Sequence, residues 1–198
     1  MLWFLLYFIT IDMSANAANA EKGTTPETTN GGEGCVSPWQ FMSSPNIYMI
    51  KSDMRYGNIT CINARTSEKD QNKQTLSHVV YVKLNPSQRW FAMVATYNPL
   101  AKNTTGTATM FTSVDTGVTT NYTFSFLDTY YAIVRKEKGS SSEDLRKSCE
   151  LWVNDEYFAS DCTARKAACE CKFREMCEPE SEITYDCYGC TQPQRGDN

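Results

Sequence analysis

Apolar and polar residues alternate over short runs between residues 46 and 154, and a period of two is typical of half-buried β-strands. Eight runs of this kind are rich in Val, Ile, Thr, Tyr and Phe, and turn residues such as Gly, Pro, Asn and Asp separate them. The predicted strands cover residues 46–53, 57–65, 77–85, 90–97, 107–114, 120–127, 130–137 and 148–154. This pattern predicts an all-β fold.

Short connections between the eight predicted strands favour antiparallel hairpins that follow one another in chain order. Such a sheet gains by closing on itself, because closure removes the two exposed edge strands. We therefore predict an eight-stranded antiparallel up-and-down barrel over about 46–154, which is just wide enough for one small ligand. A filled β-sandwich without a cavity is the alternative that composition leaves open.

The pattern changes on either side of the predicted barrel. TARKAACECKFREMC, residues 163–177, is rich in Ala, Lys, Arg and Glu with repeats at helical spacing, and predicts one α-helix. A cysteine-rich tail to residue 190 follows it and is expected to be β or irregular. Before the barrel, residues 35–42 place Trp39 directly after a proline, which predicts a short helical or irregular plug.

The first residues have the features of a secretory leader. An apolar run ends in Ala18-Asn19-Ala20, which fits a signal-peptidase site and predicts a signal peptide over 1–20. An uncleaved membrane anchor is the alternative, because the run lacks basic residues before it. Residues 21–34 are mostly Thr, Gly and Glu and predict a flexible leader.

Cysteines and glycosylation motifs indicate the same extracellular compartment. The chain has nine cysteines, an odd number that leaves one unpaired or paired between chains: Cys35, Cys61, Cys149, Cys162, Cys169, Cys171, Cys177, Cys187 and Cys190. Three Asn-x-Thr sequons begin at Asn58, Asn103 and Asn121. The net charge of −4 gives no basic surface for nucleic acid. We predict a secreted, disulfide-bonded glycoprotein.

The sequon at Asn121 indicates which side chains of its strand face the barrel interior. A glycosylated asparagine must face solvent, and strand side chains alternate between the two faces of a sheet. Tyr122, Phe124 and Phe126 are then expected to point inward as a row of rings. In the same way, Asn58 facing outward would direct Ile59 and Cys61 to the other face.

Glu150 raises a question of charge. If Cys149 faces outward to join an external element, Glu150 and Trp152 face the interior. A carboxylate buried there needs a cation, either from a ligand ammonium or from the protein, with candidates Lys83, Arg89 and Arg135. Reversed alternation, which would leave Glu150 in solvent, is the third possibility.

The sequence offers no arrangement of catalytic residues, so an enzyme is not predicted. Its single histidine, His78, opens an apolar strand and is better explained as a polar residue at a strand end. The cysteine pairs 169/171 and 187/190 are better explained as disulfides than as metal ligands in an oxidising compartment. No cofactor or metal is predicted.

Cys149-Glu150-Leu151-Trp152 resembles a segment typical of tick salivary lipocalins, the histamine-binding protein family. The resemblance extends over most of the mature chain through Cys35 and Trp39, Cys61, the cysteine-rich helix, and Tyr185-Asp186. It implies a lipocalin domain over 35–198, with the C-terminal helix packed outside the barrel. It also implies secretion by a feeding arthropod to evade host defence, since such proteins bind histamine, serotonin, eicosanoids or sterols, and some bind host immune proteins.

The resemblance implies roles for particular residues. Glu150 matches the glutamate that contacts amines in the family, and Trp152 stands beside it. Two departures exist: Ser37-Pro38-Trp39 lacks the acid that amine binders carry there, and no Cys-Asp-aliphatic segment precedes Glu150. An apolar, sterol-like or lipid ligand is therefore the alternative. The predicted ligand-binding residues are Glu150, Trp152, Tyr122, Phe124, Phe126 and Trp39.

Disulfides follow from the resemblance as well. They would link Cys35 to Cys169 or Cys171, Cys61 to Cys187 or Cys190, and Cys149 to Cys162 or Cys177. The function predicted is a secreted, monomeric scavenger that holds a small host mediator, with a biogenic amine as the first candidate. The competing hypothesis is an interaction protein that engages a host immune protein through its outer surface.

Overall fold

A computed structural model describes residues 36–115, 117–139, 145–159 and 163–190. The predicted signal peptide (1–20), the leader (21–34), Cys35 and Cys162 lie outside these residues. Within the described ranges, no helix is both long enough and apolar enough to cross a bilayer.

Eight antiparallel strands form a closed barrel, which confirms the predicted fold. Each strand pairs with the next along the chain, and β1 pairs with both β2 and β8, so the sheet closes. The strands are β1 (Asn46–Ser52), β2 (Ile59–Asp70), β3 (Thr75–Leu84), β4 (Trp90–Lys102), β5 (Ala108–Asp115), β6 (Val118–Leu127), β7 (Tyr131–Lys138) and β8 (Arg146–Asn154). β2 and β4 are longer than predicted because cross-strand pairing continues through polar hairpin ends such as 67–70.

Short elements flank the barrel at both ends of the chain. These are α1 (Pro38–Met42), α2 (Asp155–Ala159), α3 (Thr163–Cys177), β9 (Ile183–Thr184), which pairs with β1, and a 3₁₀ turn at Tyr188–Cys190. α3 has the bounds predicted from the sequence. Its buried side chains are Cys169 and Phe173, and Cys171 is exposed.

Helix α1 begins at a capping box. The Ser37 hydroxyl accepts a hydrogen bond from the Gln40 N–H at 3.2 Å, and the Gln40 side chain accepts one from the Ser37 N–H at 2.7 Å. Pro38 occupies the first helical position, where its missing N–H costs nothing. The Ser-Pro-Trp sequence thus starts a compact plug whose Phe41 and Met42 are buried.

Two hydrophobic clusters lie on opposite sides of the barrel wall. The inner cluster lies in the interior and consists of Phe41, Met42, Ile47, Ala64, Leu76, Ala95, Tyr97, Ala108, Phe111, Tyr122, Ala132 and Val134. The outer cluster lies under α3 and consists of Ile50, Tyr131, Ile133, Cys149, Leu151, Val153, Tyr157, Cys169 and Phe173. Residues of β7 and β8 alternate between the two clusters, as the pleat of a strand requires.

The inward orientation predicted for Phe126 is wrong. A β-bulge between Phe124 and Phe126 leaves them opposite Val134 and Ile133, which are consecutive residues of β7. The extra residue reverses the alternation. Phe124 packs against the inner cluster, while Phe126 packs against the outer cluster and stacks on Tyr131 with ring centroids 5.3 Å apart.

Among the residues that the structure describes, two disulfides tie the C-terminal part of the chain to the barrel. Cys149 of β8 is bonded to Cys177 at the end of α3, and Cys61 of β2 is bonded to Cys190. Both pairings are among the alternatives implied by the family resemblance. In the described part of the chain Cys169, Cys171 and Cys187 form no disulfide. The orientation of Asn58 does not determine which face Ile59 and Cys61 take, because Asn58 precedes β2 and a bulge follows Ile59.

Histidine 78 fastens the plug to the barrel. The fully buried ring donates a hydrogen bond through Nε2 to the Met42 carbonyl oxygen at 2.8 Å. Burial lowers the pKa of His78 from 6.5 to about 4, because it penalises the charged imidazolium more than the hydrogen bond favours it. His78 is therefore neutral in the folded protein.

We expect His78 to make the folded protein less stable as the pH falls. Below about pH 6.5, His78 binds a proton in the unfolded chain, but in the folded protein it does so only below about pH 4. The free energy of unfolding therefore decreases between these two pH values. The decrease attributable to His78 should be about 2 kcal/mol between about pH 7 and pH 5. Urea denaturation of the wild type and His78→Gln, which keeps a donor, measures it. Equal pH dependence in the two proteins would contradict the assignment.

Candidate functional site

Glu150 lies inside the barrel. Its neighbours Cys149, Leu151 and Val153 belong to the outer cluster, so the pleat of β8 turns Glu150 and Trp152 inward. Only 1% of Glu150 is exposed. On the adjacent strand it pairs with Ser52, the last residue of β1, and so lies away from the α1 plug, which precedes the first residue of that strand.

Hydrogen-bond donors surround the Glu150 carboxylate. The Trp152 indole Nε1–H donates to Oε2 at 2.8 Å, and the Tyr56 hydroxyl donates a short hydrogen bond to Oε1. The Ser148 hydroxyl lies 3.3 Å from Oε1 and 2.7 Å from the Tyr56 hydroxyl. Burial, and then the charge of Glu150, raise the pKa of Tyr56 far above its usual range, so this phenol stays protonated and keeps donating.

The cation that faces Glu150 is Lys136 of β7. Its ammonium nitrogen lies 4.0 Å from Oε1, and 18% of the lysine side chain is exposed. The same nitrogen lies 5.4 Å from the ring centroid of Tyr56 and 5.7 Å from that of Tyr122. We call Glu150, Tyr56 and Tyr122 the cation cage, because together they surround the ammonium with one carboxylate and two aromatic rings.

The sequence left a cation from the protein as one alternative, and the three candidates named for it lie elsewhere. Lys83 lies over the Trp90 ring at 5.8 Å, and Arg89 over the Phe91 ring at 5.5 Å. Arg135 donates to the Met176 carbonyl oxygen of α3 at 2.6 Å. Arg135 precedes Lys136 in β7, so alternation sends it to the outer face.

The C-terminal tail holds Tyr56 in place. The Tyr56 N–H donates to the Tyr185 hydroxyl at 3.1 Å, and that hydroxyl donates to the Met54 carbonyl oxygen at 3.2 Å. Tyr185 is only 2% exposed, and its own backbone N–H donates to the carbonyl oxygen of Ile50 in β1 at 3.0 Å. The segment between β1 and β2 is thereby fixed with the Tyr56 hydroxyl directed at Glu150.

A series of aromatic side chains connects the cation cage with the plug. The Tyr122 and Tyr97 rings are 5.3 Å apart, and the Tyr97 and His78 rings 5.0 Å. Phe111 and Phe124 form a second ring pair at 6.3 Å. Near the plug, Trp39 Nε1, His78 Nδ1 and Ser113 Oγ are buried without a hydrogen-bond partner among the described residues. The interior therefore combines aromatic walls with a few polar atoms, which is typical of ligand sites.

Five of the six predicted ligand-binding residues share the barrel interior. Glu150, Trp152 and Tyr122 meet around the cage, and Phe124 and Trp39 pack against the inner cluster. The exception is Phe126, which the bulge in β6 turns toward the outer cluster. Sequence reasoning missed Tyr56, Lys136, Tyr97 and His78. The alternation of Ala132, Val134 and Lys136 along β7 is a signal that points to Lys136.

Comparison with solved structures defines the class of protein. The AM182–serotonin complex has 16% sequence identity and a TM-score of 0.53, over 79% of this chain and 94% of that one. The bovine lipocalin allergen Bos d 2 has 10% identity and a TM-score of 0.53, over 77% and 97%. Lobster apocrustacyanin A1 has 11% identity and a TM-score of 0.51, over 73% and 77%. The fold is that of a lipocalin.

The family follows from the sequence as a whole. Residues 37–192 match the model of the tick histamine-binding proteins, and the chain belongs to that family. None of the curated proteins is significantly similar to this chain.

We expect the partners of Glu150 to make its side chain important for stability. Glu150→Ala leaves Tyr56 and Trp152 without their acceptor and Lys136 without its countercharge, and should lower the free energy of unfolding by about 3 to 5 kcal/mol. Glu150→Gln keeps one acceptor oxygen and should cost about 1 to 3 kcal/mol. Denaturant unfolding measures both. Losses below about 0.5 kcal/mol, as expected for an exposed glutamate, would show that the carboxylate is not buried.

Proposed function

We propose that this protein is secreted and sequesters a small host mediator inside its barrel, thereby evading host inflammatory defence. The observation that carries the proposal is the buried polar cluster around Glu150, set at one end of an aromatic interior that α1 covers at the other. A ligand with a flat apolar body would pack against Tyr97, Tyr122 and Phe124, and its polar group would meet the cage.

A biogenic amine such as histamine or serotonin is the ligand class favoured by family membership. The solved complex of AM182 with serotonin shares the fold, and Glu150 supplies the acid that an ammonium group requires. An apolar lipid or a sterol is the alternative. It is favoured by Lys136, which already faces Glu150, and by Ser37, which caps α1 at the position of the acid expected in amine binders.

The outer wall supports a second candidate function, the binding of a host immune protein. Val94 of β4 and Val114 of β5 alternate with residues of the interior, so they lie on the outer face, and each is 65% exposed. The predicted glycosylation sites Asn58 and Asn103 are also exposed. Passing host serum over the immobilised protein, with Val94→Lys as the control, tests this candidate separately from the barrel.

Two phenylalanines of β6 provide a matched pair for testing ligand binding. Phe124→Leu should weaken binding about 5- to 10-fold, because an aromatic contact contributes about 1 kcal/mol beyond its area. Phe126→Leu should leave affinity unchanged, since this ring lies in the outer cluster. Isothermal titration with histamine and serotonin, and fluorescence titration with dehydroergosterol, measure the affinities.

The result also separates the ligand classes. Binding of serotonin or histamine supports the amine, and binding of dehydroergosterol alone supports the apolar alternative. If none of the probes binds, or if the two substitutions have equal effects on affinity, sequestration inside the barrel is contradicted.

A further inference from the structure

We propose that Lys136 is a specificity-determining residue that fills the cation cage with the protein's own ammonium group and so competes with cationic ligands. The inference rests on the proposed function, because it concerns the same barrel interior. It identifies a feature of this chain that separates binding of amines from binding of neutral molecules.

The cage presents Lys136 with the contacts that a bound ammonium ligand needs. The carboxylate comes from β8, one ring comes from Tyr122 of β6, and the other comes from Tyr56 in the segment between β1 and β2. Tyr122 and Ser148 are the cross-strand neighbours of Lys136, so pairing of β6, β7 and β8 fixes where its stem begins. A carboxylate and aromatic faces together favour a cation of any origin.

Lys136 contributes charge to this cluster rather than a close hydrogen bond. Its nitrogen lies 4.0 Å from Oε1, whereas charge-assisted hydrogen bonds measure about 2.8 Å. The carboxylate already accepts hydrogen bonds from Trp152, Tyr56 and Ser148. Another ammonium at the same place would therefore satisfy Glu150 equally well.

Lys136 can also leave the cage. Its side chain is 18% exposed, while that of Glu150 is 1% exposed, so the lysine stem reaches toward solvent and the carboxylate does not. A lysine stem has four rotatable carbons and keeps its charge hydrated when it turns outward. An amine ligand would enter by displacing this ammonium, because two cations beside one carboxylate repel each other. A neutral ligand would not have to displace it.

Chemical rescue tests the inference. Lys136→Met keeps the length and apolar stem but removes the ammonium, and n-butylammonium supplies an ammonium group from a ligand instead. We expect n-butylammonium to bind Lys136→Met about 10-fold or more tightly than it binds the wild type, measured by isothermal titration and by the shift in melting temperature. Lys147→Met, on the outer face of β8 where Lys147 pairs with Glu137, should behave like the wild type.

A second variant assigns the gain to the cage. Adding Glu150→Gln to Lys136→Met should abolish the gain in affinity for n-butylammonium. The same substitution removes the unpaired buried charge that threatens the folding of Lys136→Met. Should Lys136→Met alone be unfolded, recovery of its folded state by n-butylammonium but not by n-butanol supports the inference. Equal affinity in wild type and Lys136→Met, a gain that survives Glu150→Gln, or an unfolded variant that n-butylammonium does not recover would each overturn it.

The outcome is independent of that for the proposed function. If Lys136→Met binds n-butylammonium while the wild type binds none of histamine, serotonin and dehydroergosterol, the cage is established and sequestration fails. If the wild type binds dehydroergosterol and Lys136→Met gains nothing for n-butylammonium, sequestration stands and the role of Lys136 fails.

Discussion

A carboxylate inside a β-barrel is tolerated only if the fold supplies it with hydrogen bonds and a countercharge, and this requirement shapes one end of the present structure. Desolvation of an unpaired carboxylate costs several kcal/mol, which is a large part of the stability of a typical domain. Trp152, Tyr56 and Ser148 supply the hydrogen bonds to Glu150, and Lys136 supplies the charge. The elements that carry these side chains must therefore assemble together.

The C-terminal tail takes part in that assembly although it lies outside the barrel. The Cys61–Cys190 disulfide fastens the tail to β2, and Tyr185 then hydrogen-bonds the segment that carries Tyr56. On the other side, Cys149–Cys177 fastens α3 to β8 one residue from Glu150. The disulfides that stabilise the fold thus also position the groups that form the cation cage.

Much of this fold follows from local patterns in the sequence. Alternation predicted the eight strands, and helical spacing predicted α3. Alternation also predicted that Glu150 and Trp152 face inward on the condition that Cys149 faces outward, and the structure meets that condition. The orientation of Phe126 could not be predicted in this way. A bulge depends on the register between two paired strands, and the sequence of one strand does not show it. The pairing of Lys136 with Glu150 could not be predicted either. Which cation meets Glu150 depends on how three strands align, so the sequence named plausible cations but not the one that the register brings together.

The indole N–H resonance of Trp152 tests the central claim most directly, because it reports the hydrogen bond to Glu150 inside the barrel. In ¹H–¹⁵N spectra each of Trp39, Trp90 and Trp152 gives its own indole signal. The structure predicts that the Trp152 signal is protected from solvent exchange and that Glu150→Gln shifts it more than the Trp90 signal. A Trp152 signal that exchanges freely and does not respond to Glu150→Gln would place the carboxylate outside the barrel and contradict the account.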